Sequence, residues 1–296
     1  MRITFLGSGS AFVPMSENYQ SNILFEKTLV ETTFSTPAPS TFETDGGIYP
    51  TGEETKTYKL LMDAGTHIQE SLLSQNIDAI DLDAIFISHL HGDHCHGLEY
   101  IGFKRYFIPE FGTNKPKLLL NNEISKKLWD NVLKGTMGSI NGSRTELDTY
   151  FNVVRIKPRD GFQFANIEFS LIQVPHVIDD YEEVPAFGLK FKDDDIKVFI
   201  TGDTQFDFWR MIGQYEDADI IFHDCEMIEY PNSVHAQFTQ LKELPEQYKQ
   251  KMWLYHYMLY GKTFEELEKE VLDAGFAGLV KRGQVFDTKL IKDKQK

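Results

Sequence analysis

The feature that most limits what this chain can fold into is the stretch Ser88-His89-Leu90-His91-Gly92-Asp93-His94-Cys95-His96-Gly97, which follows directly on the apolar run Ala84-Ile85-Phe86-Ile87. Four of the nine histidines fall between positions 89 and 96, a concentration too high for a chance run of polar loop residues. The apolar run predicts a buried strand, so the cluster begins where that strand ends. Side chains alternate faces along a strand, and a His-x-His pair leaving one aims two imidazoles the same way. Asp93 and His94 then turn back from the start of the next element. Imidazole and carboxylate are what Zn²⁺, Mn²⁺ or Fe take as ligands.

Around this loop the composition excludes several classes. The chain has 296 residues and is 41% hydrophobic, enough to bury a core. Its net charge of -15 argues against broad electrostatic capture of a polyanion, which needs a basic surface. Two cysteines, Cys95 and Cys225, are too few for a disulfide framework and suggest a reducing compartment. The opening Met1-Arg2-Ile3-Thr4-Phe5-Leu6-Gly7 turns polar too soon for a signal peptide, and no run approaches the ~18 apolar residues of a membrane helix. The expectation is a cytoplasmic protein with no membrane partner.

Further strands repeat the pattern of an apolar run that ends in one ligand-type residue. Leu60–Met62 ends at Asp63, Ile167–Val174 at Pro175-His176, and Lys197–Thr201 at Gly202-Asp203. Ala218–Phe222 ends at His223-Asp224, and Met252–Tyr255 at His256. Helices are expected at 67–74, Leu98–Ile108, Glu123–Leu133 and Glu265–Ala274, with Phe238–Lys251 largely helical but interrupted by Pro245, and a closing strand over Phe276–Phe286. Residues 28–57 carry an excess of Thr, Ser, Pro and Gly and read as a loop or arm inserted in a single domain over 1–296. At that length it is either a surface insertion, a flap over the site or a dimer-contact arm.

Asp63, the cluster 89–94, His176, Asp203 and His256, each in strand-end context, together resemble the metallo-β-lactamase superfamily over nearly the whole chain. The resemblance implies a mixed α/β fold, a four-layer αββα sandwich with a two-metal site at one edge. It implies that His89, His91 and His176 bind one divalent ion and Asp93, His94 and His256 the other. Asp203 would bridge them and Asp63 would orient a ligand from behind. Zinc is the expected metal, with manganese or iron as alternatives. Two such cations can lower the pKa of a shared water and clamp the oxygens of an in-line phosphoryl displacement.

The segments Phe5-Leu6-Gly7-Ser8-Gly9-Ser10-Ala11, Leu61-Met62-Asp63-Ala64-Gly65 and His223-Asp224-Cys225-Glu226 are similar to the ribonuclease Z branch. Val234-His235-Ala236-Gln237 resembles the segment carrying that branch's proton-donating histidine. The implied catalytic residues are Asp93, His235 and Asp224, with Asp224 holding an imidazole that protonates the leaving oxygen. His223, among apolar neighbours, reads as structural, and His67 and His96 have no assigned role. The RNA-gripping arm of that branch is missing, because only 26 residues lie between His176 and Asp203 and they include the acidic Asp179-Asp180-Tyr181-Glu182-Glu183. Stable nucleic-acid binding is therefore not expected, whereas a small phosphodiester needs no arm. The segments His235–Leu244, Trp253–Tyr257 and Gly275–Val280 resemble the phage anti-Pycsar cyclic-nucleotide phosphodiesterases. That implies a homodimer opening a 3′,5′-cyclic mononucleotide to a linear nucleotide monophosphate. The alternatives are an RNA-processing endonuclease, a metal-dependent hydrolase of esters or lactones, and a non-catalytic sensor.

Overall fold

The computed structural model describes residues 1–35, 49–108, 115–157, 159–180 and 182–290. In chain order the described strands are β1 (Arg2–Gly7), β2 (Asn22–Ser35), β3 (Tyr49–Met62), β4 (Ala84–Phe86), β5 (Lys117–Asn121), β6 (Ser139–Ile140), β7 (Ser143–Arg144), β8 (Asn152–Ile156) and β9 (Gly161–Phe164). There follow β10 (Ile167–Gln173), β11 (Val177–Asp179), β12 (Glu182–Val184), β13 (Phe187–Asp193), β14 (Ile196–Ile200), β15 (Ile220–Asp224), β16 (Met252–Tyr255), β17 (Gly278–Leu279) and β18 (Val285–Asp287).

Two seven-stranded sheets result, ordered β18-β1-β2-β3-β4-β5-β8 and β17-β16-β15-β14-β13-β10-β9. In the first sheet the pairs from β18 to β3 are antiparallel and those from β3 to β8 parallel; in the second the pairs from β9 to β14 are antiparallel and those from β14 to β17 parallel. The period of two sorts their side chains. Val198, Ile200, Ile220 and Phe222 face the first sheet, while Phe199, Ile221 and Met252 face outward. Between the sheets, aromatic rings interdigitate: Phe5 lies 4.9 Å from Phe222, Phe25 lies 5.7 Å from Phe169 and Phe86 lies 5.8 Å from Phe162, centroid to centroid.

Helices close both outer faces. Leu98 and Ile101 of helix Leu98–Phe107, with Ile124 of helix Asn122–Lys127, pack on the first sheet. Met211 and Tyr215 of helix Phe208–Asp217, Leu241, and Leu267 and Val271 of helix Phe264–Asp273 cover the second. The layer order is therefore αββα, as expected. In an open α/β sheet, ligands gather at the carboxyl ends of strands. Here β3, β4, β10, β14, β15 and β16 all deliver those ends to one edge.

Three expectations need correction. The loop expected over 28–57 is, in its described parts, a continuation of β2 and β3. These pair from Ile23↔Met62 out to Ser35↔Tyr49, and residues 36–48 lie outside the described residues. Thr and Val are β-branched and favour this extended pairing even without a buried face. The single closing strand over Phe276–Phe286 is two short strands in different sheets. The chain reverses at Gly283, whose φ of 77° is open to glycine, and so crosses from the second sheet to the first. The helix over Glu123–Leu133 starts at Asn122, loosens into a π turn at Leu128–Leu133 and continues to Met137.

Candidate active site

Asp63, the residue after β3, takes a left-handed backbone (φ 65°) and points back into the edge. Its carboxylate accepts hydrogen bonds from the Ser88 backbone N–H at 2.8 Å, the Ser88 hydroxyl at 2.7 Å and His94 Nδ1 at 2.7 Å. A carboxylate on one ring nitrogen fixes the tautomer and turns the other nitrogen toward a metal. Two residues on, Gly65 passes so close to the cluster that a Cβ there would sit 1.9 Å from the Asp93 carbonyl oxygen. Only glycine lets the two loops meet at that point.

His89 leaves β4 buried, with Nδ1 3.0 Å from the Ser88 hydroxyl. After His91 a short helix, Gly92–Cys95, reverses the chain and presents Asp93 and His94. From the second sheet, His176 donates through Nδ1 to the Val234 carbonyl at 2.8 Å, which leaves Nε2 3.1 Å from His91 Nδ1. Asp203 follows Gly202 and is buried in the middle. One of its oxygens lies 3.1 Å from His94 Nε2, 3.3 Å from His256 Nε2, 3.8 Å from His89 Nε2 and 4.0 Å from His176 Nε2. His256 also takes a positive φ, 66°, and comes within 3.6 Å of Asp93.

These side chains form three overlapping groups whose donor atoms lie within 4.8 Å of one another: His89, His91, His176 and Asp203; Asp93, His94, Asp203 and His256; and Asp203, Asp224, His235 and His256. Whether a metal fits is decided by the polar atoms left over. His89 Nε2, His94 Nε2, His256 Nε2 and both Asp203 carboxylate oxygens are buried with no hydrogen-bond partner. A buried polar group without a partner is costly, and five converging on one point fit a cation. The first two groups suit divalent ions. The third is the weaker candidate, because Asp224 is already engaged by the Thr204 N–H at 2.8 Å and by His235 Nδ1 at 2.7 Å.

Electrostatics agree with that division. Burial holds His89 and His91 below the usual imidazole range and His176 at about 4, so all three rings favour the neutral form that a metal ion requires. Burial also opposes charge on His94 and His256, but the carboxylates together outweigh it, Asp203 with Asp93 and Asp63 at His94 and Asp203 with Asp224 at His256. Both are raised, and a metal ion has to displace their protons. His235 stands apart. Burial disfavours its imidazolium, yet the charge of Asp224 and the hydrogen bond to it raise His235 above the ordinary value.

Asp63, His89, His91, Asp93, His94, His176, Asp203, Asp224, His235 and His256 all lie at this edge. His223 is instead buried between the Tyr215 hydroxyl and the Asp224 carbonyl, each at 2.7 Å, which accounts for it structurally. His67 packs near Tyr19 and the Gln20 N–H, and His96 is exposed; neither joins a cluster. Sequence reasoning passed over Ser88, Thr204 and the Val234 carbonyl, which aim the histidines and Asp224. Ser88 had a signal, since it directly precedes the motif at a strand end. A backbone N–H or carbonyl has none.

Fold and site together define a metal-dependent hydrolase of the phosphodiesterase kind, built on the metallo-β-lactamase fold. The metallo-β-lactamase fold protein YhfI from Bacillus subtilis superposes with a TM-score of 0.67 over 96% of this chain and 98% of its own, at 16% sequence identity. The sequence model of the family described as Anti-Pycsar protein Apyc1 matches residues 53–286, and the chain belongs to that family. An Anti-Pycsar protein Apyc1 from Paenibacillus harenae is 28% identical over 90% of this chain and 93% of its own. Another, from Bacillus phage vB_BveM-Goe7, is 31% identical over 72% of this chain and 82% of its own.

Proposed function

We propose that this chain, as a single hydrolase domain over 1–296, opens a 3′,5′-cyclic mononucleotide to a linear nucleotide monophosphate. The family to which it belongs degrades cyclic nucleotides. In this reading His89, His91 and His176 would hold one divalent ion and Asp93, His94 and His256 a second, with Asp203 common to both groups. Bound there, the ions supply Lewis-acid polarisation of a phosphoryl oxygen and activation of a water molecule. Zinc suits the histidine-rich donor set best, with manganese or iron able to replace it. Asp63 keeps His94 turned toward its ion.

The observation that carries the reading is the contact between His235 and Asp224 at 2.7 Å, placed 3.9 Å from Asp203. Nδ1 of His235 is committed to the carboxylate, which leaves Nε2 to meet substrate. As the bond from phosphorus to the 3′ oxygen breaks, His235 passes its proton to that oxygen, and Asp224 stabilises the imidazolium beforehand. Among the described residues no helix is long and apolar enough to cross a membrane. A cytoplasmic homodimer acting on a small phosphodiester, without stable nucleic-acid binding, completes the proposal. Incubation of metal-loaded protein with cyclic AMP, GMP, CMP and UMP tests it. Conversion of at least one to its linear monophosphate is expected, and no turnover of any of the four would sink the reading.

A further inference from the structure

Holding His235 occupies only one oxygen of Asp224. This side chain is buried at the end of β15, and its backbone is fixed on both sides. The Asp224 N–H donates to the Thr201 hydroxyl at 3.0 Å, and the Asp224 carbonyl accepts from His223 Nδ1 at 2.7 Å. Oδ2 accepts from the Thr204 N–H at 2.8 Å and from His235 Nδ1 at 2.7 Å, so that oxygen is taken. Oδ1 is buried and has no hydrogen-bond partner. It lies 3.3 Å from Nδ1 of His256, a second buried atom with no hydrogen-bond partner. A buried acceptor and a buried ring nitrogen are each costly alone, and a proton on Nδ1 lets each satisfy the other.

Other histidines of the cluster already have such a partner on Nδ1. His89 has the Ser88 hydroxyl at 3.0 Å, His94 has Asp63 at 2.7 Å and His176 has the Val234 carbonyl at 2.8 Å. In each case the partner fixes the ring and leaves Nε2 for the cluster. At His256 the matching atom is Oδ1 of Asp224. With Nδ1 turned to it, His256 Nε2 stands 3.3 Å from Asp203 and 3.6 Å from Asp93. The rings of His235 and His256 stack with centroids 4.7 Å apart and planes 27° from parallel. One carboxylate therefore faces two nearly parallel imidazoles, with a different oxygen toward each.

We infer that Asp224 has a second duty: it is a positioning residue for His256, turning Nε2 of that ring toward the metal ion while its other oxygen holds His235. The inference rests on the reading of His256 as a metal ligand. It makes one side chain common to the proton donor and to the second ligand group, so damage to Asp224 reaches both and damage to His235 reaches only the donor. Stepwise withdrawal of zinc from the zinc-loaded protein by a chromophoric chelator, with no nucleotide present, compares wild type, Asp224→Asn and His235→Ala. Asparagine keeps the volume but has a single acceptor oxygen, which cannot serve both rings. Asp224→Asn is expected to hold one zinc as the wild type does and the second about 10–100-fold more weakly. His235→Ala is expected to hold both as the wild type does. Wild-type affinity for both ions in Asp224→Asn overturns the inference, as does equal weakening in the two variants. A wild type that holds no zinc sinks the metal assignment itself, and this inference with it. A second measurement needs no variant. Long-range ¹H–¹⁵N NMR of the zinc-loaded wild type should show His256 with a slowly exchanging, low-field Nδ1 proton, the mark of a bond to a carboxylate. An Nδ1 proton that exchanges as freely as a ring proton of the exposed His96 overturns the inference.

Discussion

The two sheets supply the same edge in opposite ways. The first delivers Asp63 and then His89, His91, Asp93 and His94 from one strand end and the short helix after it. The second delivers His176, Asp203, Asp224, His235 and His256 one at a time, spread from position 176 to position 256 of the chain. The local cluster positions itself, since Asp63 bonds Ser88 and His94 and Ser88 in turn bonds His89, fixing two candidate ligands together. The scattered set depends on sheet geometry, with the ends of β10, β14, β15 and β16 held in line. The first half should therefore tolerate global loosening better than the second, while the second decides how the two ligand groups are joined.

Asp203 breaks the comparison most directly, because this one residue of the second half lies near histidines of both groups. Asp203→Ala is expected to lower bound metal and to cut turnover by on the order of a thousandfold, the loss of several kcal/mol of charge stabilisation. Metal analysis beside kinetics checks this, and full occupancy with full rate would contradict it. His235→Ala separates chemistry from assembly: metal content should stay at the wild-type value while kcat falls by about a hundredfold or more. On the first half, Asp63→Ala leaves all ligands present but frees His94, so metal affinity should weaken by about 10–100-fold. A titration with a chromophoric chelator reads that change.

A smaller effect joins the halves themselves. Asp193, at the end of β13 in the second sheet, is buried and accepts from Lys27 of β2 at 2.5 Å, from Thr288 at 2.5 Å and from the Met1 amino group. Burial works against its charge, but these bonds outweigh it and hold the carboxyl at about 2, below its ordinary 3.8. A depressed folded-state value means stability that is present above the ordinary value and lost as pH falls toward about 2. Its size is about 2 kcal/mol. Denaturant unfolding between pH 5 and 2 should show that slope in the wild type and a flatter one in Asp193→Asn. The smallest effect expected is at His96. Exposed and outside every cluster, it should change stability by less than about 0.5 kcal/mol when replaced by alanine.

What could be read in the sequence follows the same division. His89, His91, Asp93 and His94 were legible by spacing alone, because neighbours in a chain leaving one strand are neighbours in space. His176, Asp203 and His256 were legible only through their repeated place at strand ends, and their grouping into sites came from resemblance. Ser88 and Thr204 were missed because their work is done by a hydroxyl or a backbone N–H whose direction no residue type reveals. The β2–β3 arm was misread for a related reason. Thr28, Glu31, Thr32, Glu53, Glu54, Thr55, Lys56 and Thr57 are exposed, so the apolar alternation that marks a half-buried strand is absent there. The strand split around Gly283 was hidden because both pieces read as extended, and extension does not say which sheet a strand joins.

The central claim is that ligands from both halves assemble one metal centre that cleaves a cyclic phosphodiester. Its most direct test is cyclic-nucleotide turnover by the wild type after chelation and stepwise return of zinc or manganese. The account predicts that turnover disappears on chelation and returns to a plateau at two equivalents of metal per chain, one for the His89, His91 and His176 group and one for the Asp93, His94 and His256 group. Turnover that survives complete metal removal, or that reaches its plateau at a single equivalent, would contradict it.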